Sequence, residues 1–400
     1  MKKHLAAAAG LALVAGLSLT AGPTATISAA TATATTAVQL ETPTAAGSRT
    51  PEEAQRLLAE LEAQLPADTL AEYEALKRGG GTDSPRDSLL RAALNPADYT
   101  CVSNSPALAY IESLMKNWDG FDRGVFALSQ FWNLLAYDAI LFPQHEEHYG
   151  QNGEYDHQVT KSFRQLSGFW DIADQPIDVV PMHGEMMIDP ARIARVLRLR
   201  AMPEAQVIFY SNLLATAANT EKFLYGKHPA LTFNAFAAED DEFAHLGLPV
   251  EDTIVMGDGV LETFTVLGLA DVAAPAIMAH EYGHHLQFRK GFHTGGSTPE
   301  GNRRLELMAD AFAAYHLTHA RGAALQAKRI EQFSRVFRAI GDCNFLGLGH
   351  HGTPNQRERA AQWGYDLADS AANQGHVLPS LTVGERFDQA LPVIVAPDAN

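Results

Sequence analysis

Ala274-Pro275-Ala276-Ile277-Met278-Ala279-His280-Glu281-Tyr282-Gly283-His284-His285-Leu286-Gln287 is the stretch that decides how this chain is read. Pro275 suits the first turn of a helix, where its missing N–H breaks no bond. The apolar residues before His280 suit a buried helix. His280 and His284 are four residues apart, so they stand one above the other on one helical face. Two imidazoles placed that way can share one zinc ion. Glu281 is rotated by about 100° from His280. Its carboxylate falls beside the metal position rather than on it, where it can take a proton from water that the metal acidifies. The plainer reading is a pair of hydrogen-bonded histidines on a partly buried face.

A zinc centre needs a third protein ligand. A run His-Glu-x-x-His-x-x-Gly-x-x-His would place Gly at 287 and His at 290, but the chain has Gln287 and Lys290, which excludes that class. The other solution is an acid on a following helix. Arg304-Leu305-Glu306-Leu307-Met308-Ala309-Asp310-Ala311-Phe312 supplies it, with Glu306 lying 22 residues beyond His284. Gly291, Gly295, Gly296 and Pro299 lie between the two segments and allow an antiparallel return. Asp310 is one turn after Glu306 and shares its face, so it can accept the second ring N–H of a metal-bound histidine. Two solvent-facing acids are the alternative. Apolar neighbours around most of that helix argue against it, because unpaired burial of a carboxylate is costly.

With Glu306-Leu307-Met308-Ala309-Asp310 following the His-Glu motif, the chain resembles the gluzincin zinc metallopeptidases. It is most similar to the bacterial neutral zinc metallopeptidase family and more distantly to HtpX-like and CAAX-type proteases. Asn234-Ala235-Phe236-Ala237 resembles the family's edge strand. Ile254-Val255-Met256-Gly257-Asp258-Gly259-Val260-Leu261-Glu262 resembles the strand and turn before its active helix. His351-Gly352-Thr353-Pro354 with Gln356, Arg357 and Trp363 is similar to a later motif. Coverage is roughly residues 230 to 365, and the metal motifs are its specific part. The resemblance implies that His280, His284 and Glu306 hold one catalytic Zn2+. It implies that Glu281 is the general base and that residues 234 to 237 pair with an extended peptide. His350, His351 and Arg357 are candidates for the oxyanion donor, His351 first on motif position. The extra membrane spans of the membrane members are missing, so their membrane substrates do not carry over.

Outward from these motifs, Lys2 and Lys3 precede an apolar run from Leu5 to Leu19 and a Ser28-Ala29-Ala30 stretch, the order of a secretory signal peptide. The run is shorter than the ~20 residues of a membrane span. Residues 1–30 are therefore read as a signal and 31–50 as a Thr/Ala-rich tether. Residues 51–94 form a helical extension or pro-segment, and 95–400 the metallopeptidase domain. Thr50-Pro51-Glu52-Glu53 looks like a helix start, with Leu57, Leu58, Leu61 and Leu65 on one face. The net charge of -17 argues against nucleic acid and anionic membranes as partners. Cys101 and Cys343 are 242 residues apart, and after export a disulfide between them could contribute roughly 5 kcal/mol.

Helices are expected after Ser105-Pro106, over Gly124 to Leu141, after Asp189-Pro190, from Pro203 to about Leu224, and near Val260, Ala273, Arg303 and Ala324. Strands are expected at Ile177 to Val180, Met186 to Ile188, Leu231 to Ala237 and Thr253 to Met256. The inventory is α+β, mainly helical with a small sheet and a zincin-like active helix. The expected activity is hydrolysis of peptide bonds in a peptide or protein substrate by a secreted enzyme. No stable membrane span is expected after signal cleavage, and the oligomeric state is open. The rivals are a non-catalytic zinc-stabilised surface or binding protein and a cell-wall peptide amidase. His285, His293, His316 and His319 carry no expected role. His183, in Met182-His183-Gly184-Glu185, suggests a site without an evident partner.

Overall fold

The computed structural model describes residues 50–65, 105–143, 148–172, 176–240, 246–248, 250–292, 298–325, 351–370 and 375–398, with isolated positions between them. The signal, residues 31–49 of the tether, Cys101, Cys343, His293 and His350 lie outside the described residues, as does most of the stretch 326–350. Among the described residues, no helix is long and apolar enough to cross a membrane.

The first helix, α1 (Pro51–Ala63), starts with a reciprocal cap between Thr50 and Glu53. Leu61 and Leu65 are buried, and the Tyr210 hydroxyl donates to the Leu61 carbonyl at 3.2 Å. Helix α2 (Pro106–Leu114) is capped by Ser105. The single helix expected over Gly124 to Leu141 is two, α3 (Gly120–Phe131) and α4 (Leu134–Leu141). They part at Asn133, which takes the left-handed conformation at φ 51°. Asparagine tolerates that region, and a single such residue is enough to redirect the chain. Helix α5 (Asp156–Phe169) has no counterpart among the expected elements. Helix α6 (Pro190–Leu199) is capped by Asp189, and α7 (Glu204–Ala218) stops short of Leu224, where Leu224 and Tyr225 take positive φ.

Three strands, β1 (Asp178–Met182), β2 (Ala235–Ala238) and β3 (Thr253–Gly257), form one sheet in the order β1-β3-β2. β1 runs parallel to β3, and β2 runs antiparallel to it at the sheet's edge. Met186 to Ile188, expected as a strand, belongs to a 3-10 turn over Gly184–Ile188. A run of three apolar residues has no period, and burying Met186 and Met187 needs no pleat.

After β3 come α8 (Asp258–Val266), α9 (Ala270–Lys290) and α10 (Pro299–Thr318), then α11 (Pro354–Asp369) and α12 (Ser380–Ile394). Pro275 lies inside α9, not in its first turn. The N–H it lacks would have bonded the carbonyl of Asp271, an exposed residue whose carbonyl can turn to solvent. Helices α9, α10 and α11 pack together in series. A Cβ on Gly364 of α11 would lie 2.3 Å from the Ala311 carbonyl oxygen, so only glycine permits this approach of α11 to α10. The result is a mainly helical protein with a small sheet, an α+β arrangement, in which α9 and α10 are almost wholly buried.

Candidate metal centre

Helix α9 is nearly all buried from Val272 to Gln287, histidines and glutamate included. Helix α10 is equally buried from Leu305 to Thr318. Their polar side chains therefore face one another inside protein, and each needs a partner there.

His280 and His284 point the same nitrogen at a common place. The Nδ1 of His280 lies 2.8 Å from Asp310 Oδ1, and a carboxylate acceptor there fixes the proton on Nδ1. His284 Nδ1 lies 3.0 Å from Gln287 Oε1, and Gln287 Nε2 donates to the Leu305 carbonyl at 2.6 Å. That second bond sets the amide so that its oxygen faces the ring, which puts the proton of His284 on Nδ1 too. Both Nε2 lone pairs are left for a common acceptor and lie 3.2 Å apart. Glu306 completes the group, with Oε2 3.3 Å from His280 Nε2 and Oε1 3.6 Å from His284 Nε2. Ligand atoms on one tetrahedral ion with bonds of ~2.1 Å are separated by about 3.4 Å. The three observed separations bracket that value.

Two further observations fit an ion here. Neither Glu306 oxygen has a hydrogen-bond partner although both are buried, and the same holds for Glu281. Three carboxyl groups (Glu281, Glu306 and Asp310) are buried at the centre with one guanidinium, Arg357. The described residues thus form a buried His-His-Glu group that could hold a metal ion.

The protein's own charges show the same demand. Burial pulls His280 down, but the hydrogen bond to Asp310 and the nearby Glu306 and Glu281 carboxylates outweigh it and raise its pKa to about 9. Burial also lowers His284 to about 4. For Glu281, burial dominates over the charge of His280, and with Glu306 beside it the pKa is pushed up to about 8. Glu306 is buried as well, yet the charges of His351, His284 and His280 hold it well below the usual carboxylate range.

Arg357 is engaged with the carboxylate beside His280. It grips Asp310 with Nε at 2.7 Å from Oδ2 and Nη2 at 2.6 Å from Oδ1, both side chains fully buried. The guanidinium thus anchors the carboxylate that orients His280. The motif around it is a helix start. Thr353 caps α11, Pro354 is its first residue, and Gln356 closes the reciprocal cap. His351 precedes this cap, is buried, and lies near enough to Glu281 and Glu306 to act on both charges.

The remaining histidines sort by contact. His285 sits between β3 and the Asp252–Arg289 pair, with Nε2 3.3 Å from the Thr253 carbonyl. His319 accepts the Arg321 N–H at 3.0 Å. His316 is fully buried with no partner on either ring nitrogen among the described residues. Gln287 and Arg357 are the two orienting residues whose roles the sequence did not disclose. Gln287 could have been found, since it follows His284 by three residues on the same helix. No family model, curated protein or solved structure matches this chain.

Proposed function

We propose that the chain is a secreted zinc-dependent endopeptidase whose zinc is held by His280, His284 and Glu306. Two imidazoles and one carboxylate leave a fourth position open, the ligand set of catalytic rather than structural zinc. When bound, zinc supplies a Lewis acid that lowers the pKa of water and polarises a carbonyl.

The observation that carries this reading is Glu281. A scaffold site has no use for a second carboxylate that is buried, bonded to nothing and one residue from a ligand. Placed there, Glu281 takes the proton of the attacking water on a carboxylate oxygen. It then delivers that proton to the leaving amine nitrogen. His351, buried beside the same charges, donates to the oxyanion. Asp310 and Gln287 each hold a proton on Nδ1, which turns both Nε2 atoms toward the metal position, and Arg357 holds Asp310 in place. Among the described residues β2 lies at an edge of the sheet, the position from which a strand pairs with an extended peptide.

Replacing Glu281 by Gln tests the assignment. The variant is expected to keep one zinc per chain at this centre and to lose at least ~10³-fold in casein hydrolysis, in line with removal of a proton-transfer group. Undiminished hydrolysis would reject the mechanism. Digestion of purified muropeptides but not casein would reject the substrate class.

A further inference from the structure

We infer that the chain has a second divalent-cation site, separate from the first in all its residues, at the ends of β1 and β3, where His183 and Glu185 supply the ligands and Asp258 orients the histidine. The register of the parallel pair sets Met182 beside Gly257, so the next residues, His183 and Asp258, leave the sheet together. Asp258 Oδ2 lies 2.7 Å from His183 Nδ1, and its other oxygen accepts the Gly150 N–H at 3.1 Å. Asp258 therefore fixes the proton of His183 on Nδ1, as Asp310 does for His280, and leaves Nε2 with a lone pair.

That Nε2 is buried and has no hydrogen-bond partner, and neither has the buried Oε2 of Glu185. The other oxygen of Glu185 lies 3.5 Å from Lys227 Nζ, which leaves Oε2 free to face the cavity. One ligand atom from each of His183, Glu185 and Asp258 lies within 4.8 Å of the other two. His183 and Glu185 line a cavity of about 240 Å³, with the ring of His148 centred 4.8 Å from that of His183. Arg192 also lines it, but its guanidinium is engaged by Asp138. A simple structural Asp–His pair would leave Nε2 and Glu185 Oε2 buried and unsatisfied, which destabilises the fold.

The backbone is shaped to hold Glu185 where it is. A Cβ on Gly184 would stand 2.0 Å from the Gly226 carbonyl oxygen, so residues 184 and 226 must both be close-packed for Glu185 to follow His183 into the cavity. Glu185 keeps the most freedom of the three, its side chain a third exposed against 18% for His183 and 9% for Asp258. An imidazole with a carboxylate selects zinc, cobalt or nickel rather than magnesium or calcium. With fewer firm protein ligands than the first centre, this site binds the ion more weakly, and solvent completes its shell.

Chelator-stripped full-length protein is titrated with Co2+ by visible absorption and with Zn2+ by calorimetry, in the presence and absence of millimolar Ca2+. Wild type is expected to take up two ions, the second more weakly, with no competition from Ca2+. Glu185→Gln and His183→Ala each remove the weaker event and leave the tighter one. Asp258→Asn weakens it by about 10–100-fold, as loss of a histidine-orienting carboxylate does. Glu306→Ala removes the tighter event and leaves the weaker, so failure of the first centre is told apart from failure of this one. No binding event in Glu306→Ala, two ions in Glu185→Gln, or displacement by Ca2+ would overturn the inference.

Discussion

Replacing Arg357 by Met isolates what anchors the candidate metal centre. Methionine keeps much of the apolar stem and removes both donors. Asp310 is fully buried and loses two charge-assisted bonds, at 2.7 and 2.6 Å, keeping the one to His280. Removing one partner of a buried pair costs about 3–5 kcal/mol, most of it the penalty of the stranded charge. That is a large part of the roughly 5–15 kcal/mol holding a typical protein folded. Urea denaturation in excess chelator reads it without contribution from bound ions. Arg357→Lys restores the charge but not the two-bond fork, and recovers only part of the loss. Adding Asp310→Asn to Arg357→Met removes the stranded charge, so the double variant costs less than the two single costs added, by about 2 kcal/mol or more. In the metal-loaded protein, Arg357→Met also lowers zinc affinity by about 10–100-fold, because Asp310 no longer holds His280 in place. Costs that simply add, or an Arg357→Met variant within about 1 kcal/mol of wild type, would refute the relay from Arg357 through Asp310 to His280.

Stripping the metal is expected to lower the unfolding temperature, since an ion at about 1,000 times its Kd stabilises by roughly 4 kcal/mol; scanning calorimetry with and without chelator measures it, and Glu306→Ala should show no such difference at sub-saturating zinc. Acid should destabilise the chain before its ordinary carboxylates titrate. Burial lowers the pKa of His228 to about 4 and, with the charge of His319, that of His316 to about 3. Both stay neutral in the fold while their unfolded counterparts protonate below about 6.5, so the unfolded state binds more protons and stability falls as pH drops below that value, by roughly 1.4 kcal/mol per pH unit for each. His316→Leu should flatten the slope between about pH 6.5 and 5 by one such contribution, measured by urea melts across that range; an unchanged slope would contradict the reading.

The parts of this structure that were legible in the sequence are local ones. Thr50, Ser105 and Asp189 announce helices because a side-chain cap acts within three residues. The group of His280, His284 and Glu306 was legible because two ligands share a helical turn and the third lies on the next helix. What the sequence hid depends on distance or on a single dihedral. Arg357 reaches Asp310 across 47 residues, and His183 finds Asp258 across 75. The break at Asn133 turns on one left-handed residue in an otherwise continuous apolar pattern. Met186 to Ile188 carried no period to separate a strand from a turn. Helix α5 is weakly marked in the sequence because its apolar face is narrow, with only Val159, Leu166 and Phe169 as buried hydrophobics.

The most direct test of the proposed zinc centre is X-ray absorption at the zinc edge, on Glu185→Gln protein loaded with one equivalent of Zn2+ so that only the first centre is read. The expected spectrum shows a shell of nitrogen and oxygen at about 2.0–2.1 Å containing two imidazoles, and tight binding is lost on Glu306→Ala. A protein that retains no zinc after dialysis, or a shell unaffected by replacing Glu306 or His280, would contradict it.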